Sequence, residues 1–357
     1  MVSILKDIVP IENPKFYFVN SGSEAVERAL MIAKQYFIRM NMPRKSIVIG
    51  VEGSFHGSTF GCFSVGGLPN LFHFYGPLMP GFVKTKTPNC YRCEFKKENC
   101  NNFCIQQFKN LIKYYVADNI AAFIVEPIMN AAGIIVPPKE FLQEAAKICK
   151  ENNILLICDE IVTGFGRTGS MFACEDIGVQ PDIITCAKGL SSGYIPISAA
   201  IVGEKIACEF RNNRSMQDVY GSTFGSHPIA CAAAYANIQV ILEDKLVENA
   251  RNLGEYIEDK IPMFDELSIV GDVRGKGLMW GIEIVSDKVS KVRFPKTYKI
   301  SKRIEQGLYN RGLICRVAAD VIRLCPPLIS TKENIDEIFD ILYEHLKEIE
   351  KEVLKID

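Results

Sequence analysis

The chain predicts an α/β fold in two parts: a large domain with a mainly parallel sheet covered by helices, and a smaller C-terminal α+β domain. Three observations carry this expectation. The strand candidates of the first part are short continuous apolar runs, the pattern of a sheet buried on both faces. Segments of helical period alternate with them, as in a parallel sheet with crossover helices. Near residue 243 the alternation stops, and short strands follow between two helices. A length of 357 residues also exceeds what one hydrophobic core usually serves. The expected division is 1–242 and 243–357, with an excursion over 66–104.

The elements follow in order. Phe16 to Asn20 is an apolar run ending in Ser21-Gly22-Ser23, and a helix starts there with Val26, Ala29, Leu30, Ala33, Phe37 and Met40 on one face. Ile47 to Val51 is a second strand, closed by the turn Glu52-Gly53-Ser54. The excursion is rich in Gly, Pro, Asn and Cys and poor in period, the mark of a functional or mobile loop. Regularity returns with a strand at Ala121–Val125, a helix at Lys139–Glu151, and strands at Ile154–Cys158 and Ile183–Ala187. A helix covers Pro228–Leu242. Strands at Leu278–Val285, Leu313–Val317 and Val321–Leu324 precede a last helix, Glu333–Val353.

Composition narrows the function. Forty-one Lys and Arg against 42 Asp and Glu give a net charge of −1, which draws the chain neither to nucleic acid nor to an anionic membrane. No run approaches the ~18 apolar residues of a membrane span. The stretch MVSILKDIVP lacks the basic and apolar regions of a secretory signal, so an intracellular, cytoplasmic protein is expected. Thirteen cysteines, an odd number, argue against a disulfide framework. Four cluster as Cys90, Cys93, Cys100 and Cys104. Their spacing matches zinc or iron–sulfur sites only loosely, so the reading is a reduced surface loop, with a bound metal as the alternative.

The chemistry gathers at strand ends, where open parallel sheets bind ligands. The run AAFIV is followed by Glu126, ILLIC by Asp159, and IITCA by Lys188 with Gly189 behind it. A partly desolvated lysine there is suited to a Schiff base with a carbonyl. A buried Asp159 is suited to pairing with a protonated ring nitrogen, as pyridoxal phosphate requires. Ser21, Gly22 and Ser23 open a helix whose backbone N–H groups suit a phosphate, although a plain N-cap explains Ser21 equally well. Phe55, before His56, is suited to stacking on a flat ring or to simple core packing. A solvated strand-end lysine is the plainer reading of Lys188 alone; the set together points to one cofactor. The G-x-G-x-x-G turn of nicotinamide binding and the P-loop are both absent from the sequence.

The strings FVNSGSEAVERAL, GSFHGSTFG, ICDEIVTGFGRTG, PDIITCAKGLSSGYIPISA, GSTFGSHPIACAAA and GDVRGKGLMWGIEI resemble the class III, ω-type aminotransferases of fold type I. The resemblance implies pyridoxal 5'-phosphate as cofactor, Lys188 as its Schiff-base lysine and Asp159 as the partner of its ring nitrogen. It assigns Ser21, Gly22 and Ser23 to the phosphate and Phe55 with His56 to the ring. Glu126 and Val162 line that ring, and Thr223 reaches the phosphate of a neighbouring subunit. A homodimer with shared active sites follows from that last assignment. Arg323 matches the arginine that receives a substrate carboxylate, a task that suits a bidentate guanidinium, with an ion pair as the plainer alternative. The implied reaction is a ping-pong exchange from an amino donor to a 2-oxo acid.

Within the family, Ala131 stands where ornithine and 4-aminobutyrate enzymes carry a glutamate. YRCEF, IVPPKEF and GDVRGKGL look more like the taurine–pyruvate, β-alanine–pyruvate and alanine–glyoxylate branch. An ω-amino donor with pyruvate or glyoxylate as acceptor is therefore expected. The alternatives are a 4-aminobutyrate or ornithine aminotransferase, an aminomutase, racemase or decarboxylase on the same cofactor, or a truncated non-catalytic homologue. The last arises because relatives carry a longer segment before the position of Phe16. The expectation is that an N-terminal segment and part of the pocket wall are missing, which leaves a mitochondrial location open.

Overall fold

The computed structural model describes residues 1–95, 100, 102–212 and 221–353. Residues 96–99 and 101 of the 66–104 excursion lie outside them. The chain separates into two compact units, with the main changeover between Asp244 and Lys245.

The first unit carries a seven-stranded sheet. In chain order its strands are β1 (Lys15–Val19), β2 (Ile47–Val51), β3 (Phe82–Thr85), β4 (Ile120–Val125), β5 (Leu155–Asp159), β6 (Ile183–Cys186) and β7 (Ser198–Val202). Their spatial order is β1-β7-β6-β5-β4-β2-β3. Pairing is parallel from β3 across to β6, with Ile124 opposite Ile157 and Ile157 opposite Ile183. β7 is antiparallel to both β6 and β1, so β1 runs in the same direction as β6. Every residue of β4, β5, β6 and β7 is buried, which explains why these strands read as unbroken apolar runs.

The helix Gly22–Arg39 covers this sheet with Val26, Ala29, Leu30, Ala33 and Phe37. Its start is set locally. Ser21 is extended at φ −140° and its hydroxyl accepts the Glu24 amide, while Glu24 reaches back to the Asn20 amide. The excursion holds more regular structure than its sequence suggests, namely the helix Pro69–Tyr75 and the edge strand β3. Both are too short for a period to register.

The second unit builds a four-stranded antiparallel sheet, β10-β11-β9-β8, from β8 (Val270–Lys276), β9 (Met279–Ile284), β10 (Arg316–Ala318) and β11 (Val321–Leu324). The helices Leu246–Lys260, Ile300–Asn310 and Lys332–Val353 pack on it through Leu253, Ile257, Ile304, Leu308, Phe339 and Leu342. The expected strand at 278–285 is thus the second arm of a hairpin that turns at Gly277, where φ is +56°. The expected strand at 313–317 begins only at Arg316.

Residues 133–136 and 167–169, which sequence reading assigned to the first domain, belong to the second unit. Arg274 donates to the carbonyls of Gly133 and Ile134, and Arg167 donates to that of Leu278. No helix among the described residues is long and apolar enough to cross a membrane.

Candidate active site

The carboxyl ends of the parallel strands bring Glu126, Asp159 and Lys188 to one edge of the first unit's sheet. Asp159 closes β5 and is 3% exposed. Its Oδ2 lies 2.7 Å from His56 Nδ1, and its Oδ1 accepts from the Ile161 amide and the Thr185 hydroxyl, each at 3.1 Å. Thr185 is its register partner on β6. Three donors around one buried carboxylate hold it in a single orientation.

Lys188 follows β6 with φ +34°, a strained backbone for a residue with a Cβ. The residue keeps an open path to solvent, yet surrounding atoms desolvate its amine and push its pKa below the ordinary lysine value. The carboxylates of Asp159 and Glu126 pull it back up. Glu126 is buried and bridges two loops, accepting the amides of Phe55 and Asn130 at 3.0 Å each. Burial pushes its carboxyl up to about 7, with His56 opposing that shift and Asp159 adding to it.

The remaining predicted residues sit as follows. Ser21 caps its own helix, and its carbonyl accepts from Ser198 Oγ at 2.7 Å. Ser23 Oγ accepts the Ser58 amide at 3.0 Å. The first helical turn leaves backbone N–H groups without intrahelical acceptors. Gly22 stands where a Cβ would meet Ile161 Cδ1 at 2.9 Å. Phe55 presents a ring that is 39% exposed, and Val162 packs half-buried on the core of this unit. Thr223 is exposed in a turn whose Ser222 hydroxyl accepts from Asn20 Nδ2 at 2.6 Å.

Arg323 belongs to the second unit, on β11 opposite Arg316 of β10. Its Nε is buried without a hydrogen-bond partner among the described residues, and burial and Arg316 both lower its pKa. Cys90, Cys93, Cys100 and Cys104 form no disulfide among the described residues. The Cys93 amide turns back to the Cys90 carbonyl, and burial pushes the Cys104 thiol up to about 11. Among the described residues, no three of His, Cys, Asp and Glu gather as a metal site.

Two contributors escaped sequence reading. Thr185 carried no signal, because only the β5–β6 register puts it beside Asp159. Glu160 was visible only as the neighbour of Asp159. It is fully buried and accepts from the Thr163 hydroxyl and from the amides of Ala173 and Cys174 at 3.1 and 2.8 Å. Burial raises its pKa, and those donors oppose the rise.

The sequence model of the family Aminotransferase class-III matches residues 1–346. The chain belongs to the class III aminotransferases. It is 34% identical over 360 residues to the adenosylmethionine-8-amino-7-oxononanoate aminotransferase of Methanocaldococcus jannaschii, covering 96% of this chain and 78% of that protein. The solved ω-transferase of Vibrio fluvialis JS17 matches with a TM-score of 0.94 at 32% identity, over 99% of this chain and 85% of that one. An amine transaminase from an uncultivated Pseudomonas species, solved in its pyridoxal-phosphate-bound form, matches with a TM-score of 0.90 at 34% identity, over 94% and 77% of the two chains. The fold is therefore fold type I.

Class III aminotransferases depend on pyridoxal phosphate, and the residues of this aminotransferase fit that group. A desolvated amine shares its strand edge with two buried carboxylates, Asp159 and Glu126. The helix start that carries free N–H groups lacks a Cβ at Gly22, the position where one would crowd the wall. A phosphate, an aldehyde and a ring nitrogen each find a matching group.

Proposed function

We propose that this aminotransferase moves an amino group from an ω-amino acid or related amine to a 2-oxo acid, with pyruvate or glyoxylate as acceptor. The observation that carries the reading is Lys188 placed directly behind β6 at the strand edge that also carries the buried Asp159 and Glu126, its amine depressed by desolvation. The names of the relatives, which include an ω-transferase and an amine transaminase, support a donor with a terminal amine. Ala131 in place of a glutamate supports the acceptor class.

When bound, pyridoxal phosphate supplies the electron sink that acidifies the C–H bond beside the donor nitrogen. The residues of this chain do the rest. Asp159, fixed by His56, Ile161 and Thr185, would hold a positive charge on the ring nitrogen. The amides around Gly22 and Ser23 bind the phosphate, with Ser21 closing the helix behind them. Phe55, with its exposed ring, would cover the flat group, and Val162 and Glu126 would line the site beside it. Lys188 would hold the cofactor and, as a free amine, would take up and return the proton of the donor C–H; its lowered pKa suits it to accept that proton near neutral pH. Arg323 receives the substrate carboxylate. Thr223 serves the phosphate of a second copy in a homodimer.

The test has two parts. Borohydride reduction of cofactor-loaded protein, followed by peptide mass spectrometry, is expected to find the adduct on Lys188 and to lose it in Lys188→Ala. A panel of taurine, β-alanine, 4-aminobutyrate, ornithine and alanine against pyruvate, glyoxylate and 2-oxoglutarate is expected to turn over only with an acceptor present. Turnover without any 2-oxo acid assigns the chain to the mutases, racemases or decarboxylases instead.

A further inference from the structure

The residue next to Asp159 has a task of its own. Glu160 is fully buried, and among the described residues only neutral donors, and no basic side chain, act on it. A buried carboxylate without a counter-ion is costly, so the three donors that converge on it must be held firmly. Those donors come from both ends of one loop. Thr163 lies three residues ahead, and the Ala173 and Cys174 amides lie at the loop's return. The Glu160 carboxylate thus closes the 160–174 loop at its neck.

Inside the neck sits Phe165, buried, with φ +59°, a conformation that is strained for an aromatic residue. It is held by a bond from its amide to the Met171 carbonyl at 2.6 Å and by ring contact with Phe172 at 5.3 Å. Phe165 and Gly164 in turn press on the turn that carries Lys188. A Cβ at Gly189 would come within 3.0 Å of Phe165 Cβ and 3.2 Å of the Gly164 carbonyl oxygen. On another side Asn237 holds that turn through the carbonyls of Gly189 and Leu190, at 2.8 and 3.1 Å. Two strained backbones, at Phe165 and Lys188, therefore meet across a glycine. Strain of this kind persists only where the surroundings over-determine it.

We propose that Glu160 is a positioning residue for Lys188: its carboxylate closes the 160–174 loop, and Gly164 and Phe165 of that loop brace the Lys188–Gly189 turn. The inference rests on Lys188 being the residue that reacts with the cofactor, and the experiment separates the two. Glu160→Gln keeps the size of the side chain but sets an NH2 group against one of its donors, since both carboxylate oxygens accept.

Cofactor-loaded wild type and Glu160→Gln are compared by pH titration of the visible band of the Lys188–cofactor linkage, by kcat and KM, and by thermal midpoint without cofactor. The expected result is a displaced titration midpoint and a kcat lowered about ten- to a hundredfold at nearly constant donor KM, the scale of a small misplacement of a reacting group. A lower thermal midpoint with an unmoved titration and unchanged kcat overturns the proposal and leaves Glu160 a purely structural residue. If wild type itself shows no band and no adduct on Lys188, the reading of Lys188 fails instead. Should Glu160→Gln not fold, Thr163→Val removes a single donor. It must displace the titration in the same direction, with Thr163→Ser restoring it, and an unmoved titration in Thr163→Val overturns the proposal equally.

Discussion

His56 Nδ1 lies 2.7 Å from Asp159 Oδ2, and both side chains are buried. The two residues come from loops and strands that β4 separates in the sheet, so the contact spans the centre of the candidate site. A carboxylate that takes one imidazole, one amide and one hydroxyl has little freedom to rotate or to leave the edge of the sheet.

Removing the imidazole tests how much of that order matters. His56→Leu leaves Asp159 with Ile161 and Thr185 only. A hydrogen bond to a charged group is worth about 1.5–3 kcal/mol, which corresponds to roughly ten- to a hundredfold in rate if it is felt at the reacting atoms. The expected kcat/KM falls within that range while the cofactor stays bound. A variant as fast as wild type denies His56 any part in orienting Asp159.

Asp159→Asn keeps the shape of the side chain and removes its charge. Cofactor content, read from absorbance after gel filtration, is expected to stay near that of wild type, while most turnover is lost because the ring nitrogen no longer has an anionic partner. Near-normal turnover with a full cofactor load refutes the assigned role.

Glu126 makes a prediction in pH. Its pKa of about 7 in the folded chain stands above the ordinary 4.5, so the folded state binds this proton more tightly than the unfolded one. The sign follows from linkage: stability falls as pH rises from about 4.5 to about 7, and the penalty is complete above that range. The size is about 3 kcal/mol at one pKa unit per 1.36 kcal/mol. Urea unfolding of cofactor-free protein at pH 5 and pH 8 is expected to show a smaller difference in Glu126→Gln than in wild type. Equal differences in the two proteins rule out Glu126 as the source.

What the sequence disclosed follows from the order of its residues along the strands. Parallel strands point their carboxyl ends the same way, so Glu126, Asp159 and Lys188, each directly behind an apolar run, arrive at one edge whatever the details of packing. Ser21 is likewise legible, because a cap is a local contact. Thr185 and His56 were not legible as partners of Asp159, since those bonds depend on register and on a side-chain rotamer. Glu160 hid for a related reason: its donors lie up to fourteen residues away on a loop without period. The antiparallel strand β7 escaped too, because SAAIV is as apolar as the parallel strands beside it and burial does not record direction.

The opposite edge of the same sheet supplies a control. Lys45 is 1% exposed, and its ammonium donates to the carbonyls of Ala117 at 2.9 Å, Ile120 at 3.0 Å and Asn152 at 3.3 Å, with the Phe37 ring 5.0 Å away. Lys45 precedes β2, Ala117 and Ile120 lie before and at the start of β4, and Asn152 precedes β5, so Lys45 ties together the amino ends of three strands whose carboxyl ends lead to His56, Glu126 and Asp159. Lys45→Met preserves apolar volume and withdraws the donor from three carbonyls. The expected cost is about 2–4 kcal/mol in denaturant unfolding, since each weakened buried bond contributes about 1 kcal/mol and a charged donor more. Lys45→Arg is not expected to restore it, because a planar fork does not fit the space of a compact ammonium. At temperatures where the variant stays folded, kcat and the absorbance of bound cofactor should match wild type. A variant that keeps its stability but loses turnover contradicts this division of labour between the two edges of the sheet.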